Sequence, residues 1–303
     1  MKNYLYRVMK KFIYCLSIAS LIFSGCTKKE EPKVEPGEEF LASTTPMNRV
    51  AVLEDFTGVR CGYCPDGHIR AKAVADANPG KFIIIATHAN QYANPVSGWA
   101  NFTTTEGTAI DAQAKPAGYP AGTINRMKCT ELGVNAMGPN SLITMDRGQW
   151  APAANKAMTL TAPVNIGAKA TFDPASRLLT VKVDLYYTSA ETVPNNINIS
   201  LLQDHLLSTQ ADYSIPSPYL AYNYEQNHVL RDMITNGNFG ETITEPTTLG
   251  SKISKIYTYT VPQDYNGSGV EGGGAVVVDN LKIVIFVTRG QLEILNALSI
   301  DVK

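Results

Sequence analysis

The sequence has 303 residues, 26 Lys and Arg against 27 Asp and Glu, and five cysteines. That length predicts two domains, and 44% apolar with 17% charged residues excludes a disordered chain. A formal charge of −1 supplies no basic stripe for nucleic acid, and five cysteines are too few for a disulfide-stapled scaffold.

The chain opens on Lys2, Arg7, Lys10 and Lys11 with no acid among its first eleven residues, followed by an uncharged apolar stretch at 12–23 and then Ser24-Gly25-Cys26. A basic region, a short apolar region and small residues before a cut read as a secretory signal over residues 1–25. The stretch is too short to cross a bilayer, which needs about 20 residues. The cut resembles a bacterial lipobox, with Phe23 where Leu is usual. That resemblance implies that Cys26 is the first mature residue and carries lipid, anchoring the chain to a membrane. Removing residues 1–25 moves the formal charge to −5.

Residues 26–46 are rich in Lys, Glu and Pro and read as a disordered tether. Its Lys28-Lys29-Glu30-Glu31 is either a plain hydrophilic spacer or, by resemblance, a surface-export signal of Bacteroidetes lipoproteins. Residues 49–56 form a predicted strand running into a turn, then Cys61-Gly62-Tyr63-Cys64, then a helix over 68–77 stopped by Asn78-Pro79-Gly80. Residues 82–86 are all apolar, the pattern of a strand covered on both faces. Pro95, Gly98 and Gly107 break up residues 89–116, with a helix compatible with 108–114. Gly118 to Thr123 is a turn before a strand at 123–127, and Asp146 is placed to cap a helix running to Ala157. Beyond Met158 the apolar period becomes two. Strands are predicted at 164–172, 178–187, 196–202, 253–261, 281–288 and 292–302, with Asp173-Pro174, Pro194-Asn195 and Gly272–Gly274 between them. This second half, 159–303, reads as an all-β antiparallel sandwich of the Ig-like kind, following an α/β domain at 47–158.

The chemistry concentrates at Cys61 and Cys64. A Cys-x-x-Cys between strand and helix puts its first thiol at a helix N-terminus, where free N–H groups and the helix dipole favour the thiolate. Cys61 is the candidate nucleophile, Cys64 the resolving thiol, and Arg60 adds positive charge beside Cys61. Two other readings stand beside this one. The pair could be a small structural disulfide, adding little stability through so short a loop. It could also join His68 and His88 in a metal site, although no second Cys-x-x-Cys completes a zinc ribbon. Pro65 stands where haem attachment requires His, and no cofactor is assigned. His68 on its helix reads as a solvated residue, and Cys129 as a buried small hydrophobe. His205 and His228 receive no role. Tyr213, Tyr219, Tyr222 and Tyr224, with Pro216 and Pro218, read as a loop that either recognises a partner or packs on its own sheet.

These surroundings resemble the thioredoxin superfamily. Asp55 stands six residues before Cys61, at the offset of that superfamily's buried acid, and Phe56 also fits. The resemblance implies that Asp55 accepts the proton of Cys64. It further implies that Tyr119-Pro120 is the cis-proline, with Tyr119 offering backbone groups to a substrate strand. The gap from Cys64 to Pro120 is longer than usual, with 89–116 as the insertion, and no Trp precedes Cys61. Gly62-Tyr63 is the dipeptide of periplasmic disulfide isomerases. The run from Leu53 to Pro65, with Gly118 to Thr123 and Asn227 to Arg231, resembles the Omp-twenty-eight-related outer-membrane lipoproteins of Bacteroidetes. That family implies a lipid-anchored outer-membrane protein, facing periplasm or surface, with a thioredoxin-like domain and envelope proteins as disulfide substrates. A thioredoxin fold can also serve binding alone, so a non-catalytic surface binding protein remains the alternative.

Overall fold

The computed structural model describes residues 39–94, 97, 101–265 and 275–302. The signal expected at 1–25, the lipidation residue Cys26, and the breaks at Pro95, Gly98 and Gly272–Gly274 lie outside these residues. What is described is mostly β-sheet with few helices.

In the first half, β1 (Ala51–Thr57), α1 (Cys64–Ala77), β2 (Phe82–His88), α2 (Thr105–Ala114), β3 (Ala121–Ile124), β4 (Thr144–Asp146) and α3 (Trp150–Ala157) follow in order. β1 and β2 are parallel and wholly buried, as their apolar runs require, and α1 makes the crossover that parallel strands need. β3 pairs antiparallel with β1, and β4 with β3. α1 starts at Cys64, four residues before the expected start, because Pro65 fits a first helical turn, where its missing N–H costs nothing. α1 and α3 cover one face, sharing a core with Leu53, Ile84, Ile124 and the fully buried Trp150.

The second half supplies β5 (Val164–Asp173), β6 (Leu178–Tyr187), β7 (Asn195–Gln203), β8 (Leu206–Ala211), β9 (Leu220–Gln226), β10 (Val229–Met233), β11 (Glu241–Thr242), β12 (Lys252–Thr260), β13 (Leu281–Arg289) and β14 (Ile294–Asp301). All six strands expected from the period of two are present. β12, β6 and β5 form a sheet whose Val183, Leu185 and Ile253 share a core with Ile199 of β7 and Ile283 and Ile285 of β13.

The larger sheet crosses residue 158, where the sequence places a domain boundary. Its order is β14-β13-β7-β10-β2-β1-β3-β4, with β11 also on β7. The join is narrow: β10 meets β2 at the single registered pair Val229 and Ala86, with the Ala86 N–H bonded to the His228 carbonyl at 2.8 Å. A second seam runs through Asn125. Its side-chain oxygen accepts from the Val52 N–H at 2.8 Å, and its backbone carbonyl accepts from the Ile294 N–H at 2.8 Å. Asn125 and Arg126 are left-handed, with φ of 50° and 48°, so β3 ends at Ile124 rather than at the expected Met127.

Two further departures from the sequence reading have local causes. The end of the expected tether is held: Leu41 N–H donates to Asp184 Oδ2 at 2.7 Å, and Asn165 Nδ2 donates to the carbonyls of Ser43 and Thr45. Gly167 permits that approach, since a Cβ there would lie 2.2 Å from the Leu41 backbone. The tyrosine-rich loop is instead the β8–β9 hairpin, whose inward face is polar, with Ser208, Gln210 and Gln226 all buried.

Candidate functional site

β1 ends at Thr57 and turns through Gly58, where a Cβ would lie 2.2 Å from the Tyr92 carbonyl oxygen; the Arg60 N–H bonds that oxygen at 2.9 Å. Only glycine allows so close an approach. The turn sets Cys61 just before α1 and Cys64 at its first position, and the two form a disulfide with a Cα–Cα separation of 5.3 Å. Cys61 is 2% exposed and Cys64 fully buried.

Tyr119-Pro120 is a cis peptide, as the sequence reading expects. Tyr119 shares a core cluster with Cys61, Cys64 and Phe56, stacks on Tyr92 at 5.0 Å, and donates its hydroxyl to Asp111 at 2.6 Å. Burial and that bond push the Tyr119 phenol well above its ordinary range. Pro120 lies against Gly67 of α1, 3.1 Å from where a Cβ would stand. Arg60 is solvent-exposed at the outer side of the turn. Cys129 is free and buried in a different core cluster, so it is not part of this site.

Asp55 and Thr57 lie on the β1 face turned toward α1. Residues four apart share a helix face, so His68 stands one turn beyond Cys64. Its Nε2 is 2.8 Å from Thr57 Oγ1 and 3.8 Å from Asp55 Oδ2. Its Nδ1 is 2.8 Å from the Tyr224 hydroxyl. The expectation of a solvated His68 is therefore corrected: β1 supplies a partner on one side of the ring, and the hairpin, closing over α1, supplies Tyr224 on the other. Desolvation raises the Asp55 carboxyl to about 8 and lowers the His68 imidazole.

The hairpin also covers the disulfide. The Ala211 N–H donates to the Val59 carbonyl at 2.7 Å, and the Tyr213 N–H to the Gly62 carbonyl at 2.9 Å. Gln210 Nε2 reaches the carbonyls of Cys61 and Gly58 at 3.0 and 3.2 Å. The Tyr213 ring fills the space above Gly62, 2.6 Å from where a Cβ would stand, and meets Tyr63 edge-on at 5.0 Å. Sequence reasoning missed Gln210, Tyr213 and Tyr224 as site residues. Gln210 and Tyr224 lie on strands that bury polar groups where a strand pattern is sought in apolar ones, and Tyr213 lies in the turn between those strands. His68 and His88 do not join the cysteines, which are bonded to each other; among the described residues no group of three His, Cys, Asp or Glu side chains is disposed around a metal.

The sequence pattern of the family described as Outer membrane protein Omp28 matches residues 107–302. The chain belongs to the Omp28 outer membrane protein family. An outer-membrane location follows from that membership. The match begins after Cys64, so the disulfide lies outside it. No curated protein sequence matches the chain. Among solved structures it is similar to HBP35 of Porphyromonas gingivalis, at 18% identity and a TM-score of 0.60, over 84% of this chain and 76% of that one. That likeness is one of fold. It is also similar to a protein of Agrobacterium tumefaciens, at 11% identity and a TM-score of 0.48, over 85% of this chain and 96% of that one. Among the described residues no helix is long and apolar enough to cross a membrane.

Proposed function

We propose that this outer membrane protein performs thiol–disulfide exchange on envelope proteins, through a thioredoxin-like unit at residues 47–158. In the same reading residues 159–303 are an Ig-like sandwich layered on that unit, and a lipid on Cys26 anchors the chain. The observation that carries the proposal is one juxtaposition. The Cys61–Cys64 disulfide shares a cluster with Tyr119 of the cis Tyr119-Pro120 peptide, and the buried carboxyl of Asp55 faces the helix that Cys64 begins.

In this chemistry the Cys61 thiolate attacks a substrate disulfide, and one substrate sulfur leaves as thiolate. Cys64 then gives its proton to Asp55, in the fraction of molecules whose carboxyl is ionised, and attacks Cys61 Sγ. The bond from Cys61 to substrate breaks, and the electron pair leaves on the second substrate sulfur. Substrate is reduced by two electrons and the cysteine pair oxidised by two. Tyr119 and Pro120 hold the substrate strand beside Cys61.

A second reading is favoured by the 2% exposure of Cys61 under the hairpin. In it the disulfide is structural, and the protein is a surface binding protein on a thioredoxin-like scaffold. One experiment separates the two. The full chain in detergent is reduced, and the rate of Cys61 alkylation is followed against pH. Exchange predicts fast alkylation at neutral pH and loss of insulin-disulfide reduction in Cys61→Ala. A disulfide that resists dithiothreitol in the folded protein, or equal activity of Cys61→Ala and wild type, favours the scaffold. Loss of membrane fractionation in Cys26→Ala tests the anchor.

A further inference from the structure

A buried proton acceptor needs a way to release what it accepts. The Asp55 carboxyl is 1% exposed, and its Oδ1 has no hydrogen-bond partner among the described residues. Its Oδ2 faces His68, which bonds Thr57 on one ring nitrogen and Tyr224 on the other. Beyond them a cleft of about 500 Å³ opens between α1 and the hairpin, with Asp55, His68, Tyr224, Asp204 and His228 in its wall. About a fifth of the His68 side chain is open, so the ring bridges the buried carboxyl and the cleft.

We infer that His68, with Tyr224, carries protons between Asp55 and the solvent of this cleft. The inference rests on thiol–disulfide exchange at Cys61 and Cys64, and it assigns a positioning and relay role to residues that do not touch the sulfurs. After Cys64 has given its proton to Asp55, the carboxyl, 3.8 Å from His68 Nε2, passes a proton to it as the two side chains close to hydrogen-bond distance. His68 releases the proton on Nδ1 to the Tyr224 oxygen, and Tyr224 releases its own to water. One O–H or N–H bond forms for each that breaks, and the ring ends neutral as the other tautomer. The next inward proton, taken up when the disulfide is reduced again, restores it. A neutral ring with both nitrogens bonded suits this passage. Burial acts in the same direction, disfavouring the charged form of both Asp55 and His68. The other titratable groups in the wall of the cleft are Lys72 and Asp76 of α1, His228 held against Asp204 at 3.3 Å, and His205 paired with Glu225, with His88 behind the ring on β2.

The test uses the full chain in detergent, reduced, mixed with glutathione disulfide and quenched with acid. Mass spectrometry then follows the conversion of the Cys61–glutathione mixed disulfide into Cys61–Cys64. His68→Ala is expected to slow that step by about 10- to 100-fold, at or below the low end of a general acid–base contribution, since His68 acts on the proton at second hand. Added imidazole should enter the cleft and restore the rate with concentration. Pyrazole, of the same shape but too weakly basic, should not. His68→Gln covers the case where the alanine variant does not fold: it keeps a bond to Thr57 and should be slow at an unchanged melting temperature. Tyr224→Phe should slow the step several-fold. A wild-type rate in His68→Ala or His68→Gln overturns the relay, as does slowing that both heterocycles or neither relieve. Wild type that reacts no faster than Cys61→Ser overturns the exchange reading and the relay with it. Exchange in wild type with no effect at His68 overturns the relay alone.

Discussion

Replacing Asp55 by Asn should stabilise the oxidised protein, and by an amount that depends on pH. The carboxyl is wholly buried, and desolvation raises it from 3.8 to about 8. Between those values the folded chain keeps a proton on Asp55 that the unfolded chain has released. Stability therefore falls as pH rises across that window and levels off above about 8. At pH 7 roughly three units of that window have been crossed, each worth about 1.36 kcal/mol, so wild type forfeits up to about 4 kcal/mol. Asn has the shape of the protonated acid and no charge to bury. Urea unfolding of both oxidised proteins at pH 4, 5.5, 7 and 8.5 reads the difference. The variant should gain little at pH 4, most of the 4 kcal/mol by pH 7, and a constant margin above about pH 8. A margin that stays flat from pH 4 to 8, or a wild type more stable at pH 7, would refute the assignment of Asp55 as a carboxyl held neutral by burial.

The hairpin, the buried ion pair and the third thiol each give a further expectation. Gln210→Ala leaves the carbonyls of Gly58 and Cys61 without their side-chain donor and should cost about 1–3 kcal/mol. It should also speed reduction of the disulfide by dithiothreitol, and an unchanged reduction rate counts against the hairpin as a cover. Arg126 holds Glu54 by two bonds, at 2.8 and 2.5 Å, with both side chains 1% exposed. Arg126→Met strands a buried carboxylate and should cost about 3–5 kcal/mol, most of it recovered in the Glu54→Leu/Arg126→Met double variant. Urea midpoints that fall equally in single and double variants contradict this. Cys129 is buried, with its thiol raised by desolvation and aimed at the Thr144 carbonyl. Iodoacetamide should label it only after unfolding, and Cys129→Ala should exchange at the wild-type rate; labelling of the folded protein breaks the expectation.

The parts of this fold that were legible in the sequence are those where burial is apolar. The run Phe82–His88 announces a central strand, and the alternation in Leu178–Tyr187 and Leu281–Arg289 announces paired ones. Cys61, Cys64, Asp55, Tyr119 and Pro120 were readable as a set because their spacing carries a resemblance, and all five gather at the disulfide or under α1's first turns. The hairpin was not legible. Gln210 and Gln226 face inward and bond each other at 2.9 Å, so the strand period is carried by amides that a hydropathy pattern counts as loop. His68 was misread for a related reason. Its partner Tyr224 lies 156 residues away, and no local feature of α1 brings the two together. The shared sheet escaped notice because one registered pair, Val229 with Ala86, makes the join between β10 and β2.

The seating of Gln210 on Cys61 spans 149 residues of chain. A polypeptide is made from its N-terminus, so the two cysteines exist before the segment that will lie over them. Whether they are joined or separate can be decided while they are still uncovered, and folding of the later segment then seals that choice. In the finished molecule the hairpin must then lift from Cys61 before a substrate disulfide can reach it, so each round of exchange includes a partial opening of a segment made long after the cysteines.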